Sequence, residues 1–480
     1  MSYLDLTIKD INKALKDGKT TPEYLYNEAL ERAKKYQDNY NSFVTILDNY
    51  DVNQQYDYNN KLAGIPVAVK DNFSTKGVLT TASSNILNNY VPVFDATVVE
   101  KLKNAGCNIV GKTVLDELAM GGTGTTGHTG IVYNPYDRTR QAGGSSAGSA
   151  TAVALGIVPF SIGSDTGDSV RKPASLCGIV GFKPSWGRIS RFGLFPFAPS
   201  LDHVAYFTRS VEDAAIVLEA LAGEDVRDNT CSFNKVEKYS EELTNNISNK
   251  KIAVIKEVMD SIHDKTVLDC FAKCIEEYKK QGVKVDYVSM DENLLKAIYP
   301  TYMVISCCEA TSNNANLDGI KFGNRVEGKD LDSLMTNTRT NGFSTLIKRR
   351  FVIGSYALAK AHQEDTFIRA QKIRRMIVDK VNEILKEYDA IVLPASGDVA
   401  PKFDATSDKI SSNYLIAENH LAIANFAGLP SITIPMGKKD GLPLGINITG
   451  RLFDEQNTLN IAYALESVLG FKNMMAGGNK

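Results

Sequence analysis

Tryptophan occurs once and histidine only five times in 480 residues, and neither sign of charge accumulates: 54 Lys and Arg face 56 Asp and Glu, for a formal net charge of −2. Without a basic surplus the chain has no electrostatic footprint for wrapping nucleic acid or docking on an anionic membrane, so an RNA partner would have to be held mainly by another subunit. The seven cysteines (Cys107, Cys177, Cys231, Cys270, Cys274, Cys307 and Cys308) are odd in number and form no C-x-x-C pair. Neither a disulfide framework nor that zinc spacing is expected, and a reducing cytoplasm fits best. No apolar run approaches the ~20 residues of a membrane helix. The opening Met1-Ser2-Tyr3-Leu4-Asp5 lacks the basic and apolar regions of a signal peptide, so a soluble, untargeted chain is expected. A phosphate loop of the G-x-x-x-x-G-K-[ST] kind is missing as well.

What is present is an ordinary globular composition, 43% hydrophobic and 23% charged, with ample core for a chain of this size. Residues 7–37 carry two amphipathic helical patterns broken at Gly18 and restarted at Thr20-Thr21-Pro22-Glu23, where threonine caps and proline suits the first turn. From residue 62 short apolar runs alternate with helical stretches: strands over Ile65–Val69, Asn108–Val110 and Ile157–Ile162, and helices over Thr97–Asn104 and Ser146–Leu155. The rhythm resumes after residue 250 with Ile252–Ile255, a helix over 265–281, Val283–Val288, Ala390–Leu393, Ser431–Ile434 and a closing helix over 456–469. This predicts an α/β fold, one large mixed sheet covered by helices on both faces, as a single domain over 1–480. The polar stretches 225–250 and 400–413 read as surface insertions.

The most unusual segment is Gly143-Gly144-Ser145-Ser146-Ala147-Gly148-Ser149-Ala150, followed by Gly163-Ser164-Asp165-Thr166-Gly167-Asp168-Ser169-Val170-Arg171-Lys172-Pro173. Such small residues suit either a phosphate cradle or a nucleophile loop whose N–H groups stabilise an oxyanion, and the missing phosphate-loop lysine favours the second. A literal G-x-G-x-x-G at Gly122, Gly124 and Gly127 lacks the strand–turn–helix setting of a dinucleotide site. The preceding Val114–Met120 reads as helical, so these glycines are expected to form a loop bordering the site.

Together with Gly64-Ile65-Pro66-Val67-Ala68-Val69-Lys70-Asp71-Asn72, these runs resemble the amidase signature family. Ser190–Leu194, Ser200–His203, Thr208–Ala215, Leu317–Ile320 and Lys348–Arg350 are similar to its branch of glutamine-hydrolysing A-type subunits from tRNA-dependent glutamyl/aspartyl amidotransferases. The resemblance implies Ser169 as nucleophile, Ser145 as bridging hydroxyl after a cis Gly144–Ser145 peptide, Lys70 as base, and an oxyanion hole from the N–H groups of Thr166, Gly167, Asp168 and Ser169. None of His128, His203, His263, His362 or His420 lies in these motifs. A lysine base must be neutral, so burial has to bring its pKa down from about 10.4, a shift of roughly 4 kcal/mol. Ser146 and Ser149 are expected to cap or pack the following helix.

Asp168 stands where the family has glycine. An unpaired carboxylate about 5 Å from a developing oxyanion would oppose it by roughly 3 kcal/mol at an effective dielectric of 20. It is therefore expected to turn toward Arg171 or Lys172, and aspartate tolerates a left-handed backbone should the loop need one. By the same resemblance Tyr302 and Arg350 contact glutamine, the arginine gripping the α-carboxylate, with Arg349 beside it as a surface charge. Glu418 aligns with the family's aspartate for the α-amino group. The resemblance implies no cofactor or metal in this chain, a tRNA-binding B-type subunit that carries ATP and Mg, a small C-type subunit, and misacylated tRNA held through the partner. A free-standing amidase for another small carboxamide, or a catalytically silent assembly protein, are the alternatives.

Overall fold

In the computed structural model residues 2–406 and 408–477 are described. Position 407 of the 400–413 stretch, and positions 1 and 478–480 of the expected 1–480 domain, lie outside the described residues. The chain builds one sheet of eleven strands in the order β1-β3-β2-β4-β6-β5-β10-β11-β9-β7-β8. These are β1 Phe43–Ile46, β2 Pro66–Lys70, β3 Asn108–Thr113, β4 Phe160–Asp165, β5 Val180–Lys183, β6 His203–Thr208, β7 Lys251–Ile255, β8 Lys284–Val288, β9 Ala390–Pro394, β10 Ser431–Lys439 and β11 Leu442–Gly450. The sheet is mixed: β2 runs parallel to β3 and β4, β7 runs parallel to β8 and β9, and antiparallel pairs join the two groups. Every residue of β2, β4, β6, β9 and β11 is buried. Because successive strand residues point to opposite faces, such strands are covered on both.

At the N-terminus Thr7 caps the helix Ile8–Lys16 and Thr21 caps Pro22–Tyr40, which ends where Asn41 turns left-handed at φ 52°. The helix Thr97–Asn104 has the bounds expected from its pattern. Two expectations fail locally. The strand placed at Ile157–Ile162 runs instead over Phe160–Asp165, because Ser161, Ser164 and Asp165 find buried partners and so do not end it; Ser161 Oγ, for instance, donates to the Ser149 carbonyl at 2.8 Å. Val114–Met120 is not a helix but a single turn over Glu117–Ala119 with Leu118 and Ala119 at positive φ. The turn lets Asp116 collect the N–H groups of the glycine loop that follows. Among the described residues no helix is long and apolar enough to cross a membrane.

Candidate active site

β2 and β4 are parallel neighbours, so Lys70 and Asp165 end at the same edge of the sheet, where open α/β sheets place their ligands. Lys70 is fully buried. Its Nζ donates to the hydroxyls of Ser145, Ser146 and Ser164, each at 2.8 Å, and approaches the Ser164 carbonyl at 3.3 Å. Among the described residues it contacts no carboxylate directly. Burial pushes its pKa down to about 7, against the more distant pull of Asp116, Asp165 and Asp202. Neutral oxygens can accept from either protonation state of the amine, so the cage tolerates a lysine that is half deprotonated near pH 7.

Two members of this cage carry no catalytic expectation from the sequence. Ser146 caps nothing: its hydroxyl accepts from Lys70 and donates to the Ser164 carbonyl at 3.0 Å. Ser164 Oγ accepts a second bond, from Asn72 Nδ2 at 3.0 Å. Both Asn72 and Ser164 sit inside the motifs, but a motif does not say which of its polar residues surround Lys70. Ser149 is a packing residue, bonded to Thr113 Oγ1 at 2.6 Å and to the Ile162 carbonyl at 2.9 Å.

The loop over residues 165–171 is clamped by a buried ion pair. Asp165 accepts from Arg171 Nε at 3.1 Å and Nη2 at 3.0 Å, from Asn425 Nδ2 at 3.0 Å, and from the Val170 N–H at 2.9 Å. Arg171 reaches on to the carbonyls of Gly167 and Leu421, both at 2.7 Å. Burial opposes the Asp165 charge, but Arg171 holds the carboxyl well below the usual range. Removing the charge from one side of such a pair typically costs about 3–5 kcal/mol. Asp165→Asn is therefore expected to lower the thermal midpoint sharply and to loosen the loop; a melting curve indistinguishable from wild type would show that Arg171 does not depend on Asp165.

Within this clamp Ser169 is 3% exposed, and its hydroxyl meets no partner among the described residues. The N–H groups of Thr166, Gly167, Asp168 and Ser169 likewise donate to no protein acceptor among the described residues, which leaves them available to an incoming oxyanion. The Ser146 N–H donates to the Ser169 carbonyl at 3.2 Å, holding the two serine segments together. No hydrogen bond joins the Ser145 and Ser169 hydroxyls: the structure pairs Lys70 with Ser145 and ties Ser169 to the neighbouring Ser146 through the backbone. The Gly144–Ser145 peptide is cis. A side chain at Gly144 would collide with Asp116 Oδ2. The Asp116 carboxylate accepts the N–H groups of Thr123, Gly124, Thr125 and Thr126 at 3.0–3.2 Å. The G-x-G-x-x-G loop thus wraps an acidic side chain of its own chain and backs the Ser145 segment. His203, buried on β6, faces the Leu201 carbonyl through Nδ1 at 2.7 Å and makes no bond to Ser169.

At the far end of the loop, Tyr302 lies against Gly167, where an added Cβ would sit 3.0 Å from the ring. Its edge meets Phe197, with centroids 6.4 Å apart. Arg350, on the helix Thr345–Leu358, stacks on Phe197 at 5.6 Å and donates to Met303 Sδ at 3.8 Å, with no carboxylate partner among the described residues. Asp168 turns toward Lys172, at 3.7 Å, and not toward Arg171, which Asp165 occupies. Neither Gly167 nor Asp168 has positive φ, so aspartate needs no left-handed tolerance here. Glu418 is itself engaged, Oε2 by Lys172 at 2.8 Å and Oε1 by the Gly397 N–H at 3.0 Å.

A family model described as Amidase matches residues 25–459. The A-type subunit of glutamyl-tRNA(Gln) amidotransferase from Lactobacillus delbrueckii subsp. bulgaricus is 39% identical over 470 residues, covering 97% of each chain. The protein of that name from Thermotoga maritima is 40% identical over 466 residues, covering 97% of this chain and 96% of its own. The crystal structure of the Thermotoga maritima protein superposes with a TM-score of 0.84 at 37% identity, over 99% of this chain and 97% of that one. The peptide amidase of Stenotrophomonas maltophilia shares the fold, with a TM-score of 0.81 at 24% identity over 97% of each chain.

Proposed function

The chain belongs to the amidase family, and from that premise we propose that it is the glutaminase subunit of a tRNA-dependent amidotransferase, releasing ammonia from glutamine for the conversion of Glu-tRNA(Gln), with Asp-tRNA(Asn) as a second candidate. The observation that carries the chemistry is the buried Lys70, caged by three serine hydroxyls with a pKa of about 7 beside a loop of unused N–H groups. Ser169 Oγ attacks the amide carbon and passes its proton through Ser145 to neutral Lys70. The oxyanion is held by the N–H groups of residues 166–169. Collapse breaks the C–N bond, the proton returns through Ser145 to the leaving nitrogen, and ammonia departs. Water then attacks the glutamyl ester by the same route and releases glutamate. The Ser145–Ser169 contact this needs is of a kind that sites often complete only with substrate bound.

Ammonia is consumed on a tRNA-binding B-type subunit, which supplies ATP and Mg to activate the misacylated carboxyl, with a small C-type subunit completing a cytoplasmic assembly. This division of labour agrees with a chain of net charge −2 that lacks a nucleotide motif. Glutamine would lie with its α-carboxylate on Arg350, its chain along Tyr302, and its α-ammonium among the carboxylates around Lys172.

Co-purification and assay test the assignment: with its partners the chain should support glutamine-dependent amidation, whereas full activity on small amides by the isolated chain would favour a free-standing amidase. Arg350 gives the sharper comparison. Breaking a shielded charged pair with the substrate typically costs about 2–5 kcal/mol, so Arg350→Ala should lower kcat/KM for glutamine by roughly 30-fold or more. A small amide without the carboxylate should lose little. Equal losses on both in an intact complex would mean that Arg350 supports the fold, and glutamine specificity would lose its chemical basis.

A further inference from the structure

We infer that the α-ammonium of the substrate is received by the carboxylate of Asp168 on the nucleophile loop, and that Glu418 acts behind it by holding Lys172; this rests on the glutaminase reading. Both oxygens of Glu418 are already engaged, one by Lys172 at 2.8 Å and one by the Gly397 N–H at 3.0 Å, and Lys172 also donates to the Glu418 carbonyl at 2.7 Å. Lys172 is therefore tied to Glu418 twice. Its approach to Asp168 is looser, at 3.7 Å. The Asp168 carboxylate accepts no hydrogen bond among the described residues, and the side chain is 25% exposed. It lines a small cavity of about 30 Å³ with Gly167, Tyr299, Tyr302, Asn419 and Ala422, a wall that Glu418 does not share.

The charge count points the same way. Two carboxylates around one ammonium leave the cluster one negative charge in excess, and an amino-acid amide brings the missing positive charge. Desolvation raises the Asp168 pKa and outweighs the opposing pull of Lys172 at 3.7 Å, as expected for a carboxylate that accepts no hydrogen bond. The departure from glycine at 168 then has a chemical use. An uncompensated carboxylate next to the oxyanion N–H groups opposes the tetrahedral intermediate, and a bound α-ammonium cancels that opposition. Substrates without the amino group leave the cluster's excess negative charge in place, so selection should appear in kcat as well as in KM.

The test uses the assembled complex and two amides, glutamine and 4-carbamoylbutanoate, which is glutamine without its amino group. Asp168→Asn should lower kcat/KM for glutamine at least ~10-fold more than for the analogue, the loss expected of one charged hydrogen bond. Asp168→Gly should show the same selective loss with no side chain at all. Glu418→Gln should be selective against glutamine too, but less so than Asp168→Asn, because it frees Lys172 to neutralise Asp168 without removing the receiving carboxylate. The inference is overturned if the Asp168 variants lose equally on both amides, or if Glu418→Gln is more selective against glutamine than they are. A wild-type complex that fails to hydrolyse glutamine would instead overturn the glutaminase reading on which the inference stands.

Discussion

Replacing Ser169 by alanine is expected to abolish glutamine-dependent amidation by the assembled complex, by at least ~10⁴-fold, the scale on which nucleophile deletions act in serine hydrolases. Amidation from added ammonia should survive. The separation follows from geometry. The Ser169 hydroxyl meets no partner among the described residues and retains 3% exposure, so deleting it removes no internal bond and should leave the clamp of Asp165 on Arg171 in place. The partner subunit would still activate the tRNA-bound carboxyl and accept ammonia from solvent. Measuring product tRNA with glutamine and with ammonium chloride, on complexes checked for intact assembly, separates the two. Parallel loss of both activities would remove Ser169 from a role confined to ammonia release.

The parts of this site that can be read in the sequence are those that are local. Pro66–Lys70 is an apolar run ending in a lysine, and the glycine–serine segments announce tight turns. Resemblance then joins Lys70, Ser145 and Ser169 across the chain. The supporting contacts are not legible because they join segments with no pattern in common. Asn425 reaches Asp165 from a distant helix, and Glu418 reaches Lys172 across a similar interval. The fold shows the same division. The helix Thr97–Asn104 is amphipathic and announced by its own pattern, whereas β11 carries Pro443, Gly445 and Asn447 and no strand is expected there. In the middle of the sheet Asn447 is satisfied by the Ile432 carbonyl at 3.2 Å and Thr433 Oγ1 at 3.0 Å, so tertiary partners decide what propensity alone would refuse. The helices Ile298–Asn313 and Thr345–Leu358 carry Tyr302 and Arg350. Sequence pattern marks neither helix, and resemblance alone points to the two residues.

Lys70→Arg should be nearly as damaging as Lys70→Ala, each lowering glutamine-dependent turnover by ~10³-fold or more. Protonation decides the outcome. In the wild type burial brings the lysine to about 7, so a large share is neutral and can take the Ser169 proton through Ser145. A guanidinium stays protonated under all working conditions and cannot. It would keep the positive charge and several donors toward Ser145, Ser146 and Ser164, which makes the arginine variant the test of basicity as opposed to charge. The same pKa sets the pH profile. Below about 7 the base is protonated, and kcat/KM should fall toward tenfold per unit; above it the profile should level off. Stability responds with its own sign. The folded pKa lies below the ordinary lysine value of 10.5, so between those two pH values the unfolded chain binds more protons, and this residue's contribution to stability rises with pH across that window. Activity should therefore recover above neutrality without a stability loss from this residue. Initial rates of ammonia release from about pH 5.5 to 9, with folding checked at each end, measure the acid limb. An arginine variant retaining substantial turnover, or a wild-type profile with no acid limb near 7, would take Lys70 out of the role of base.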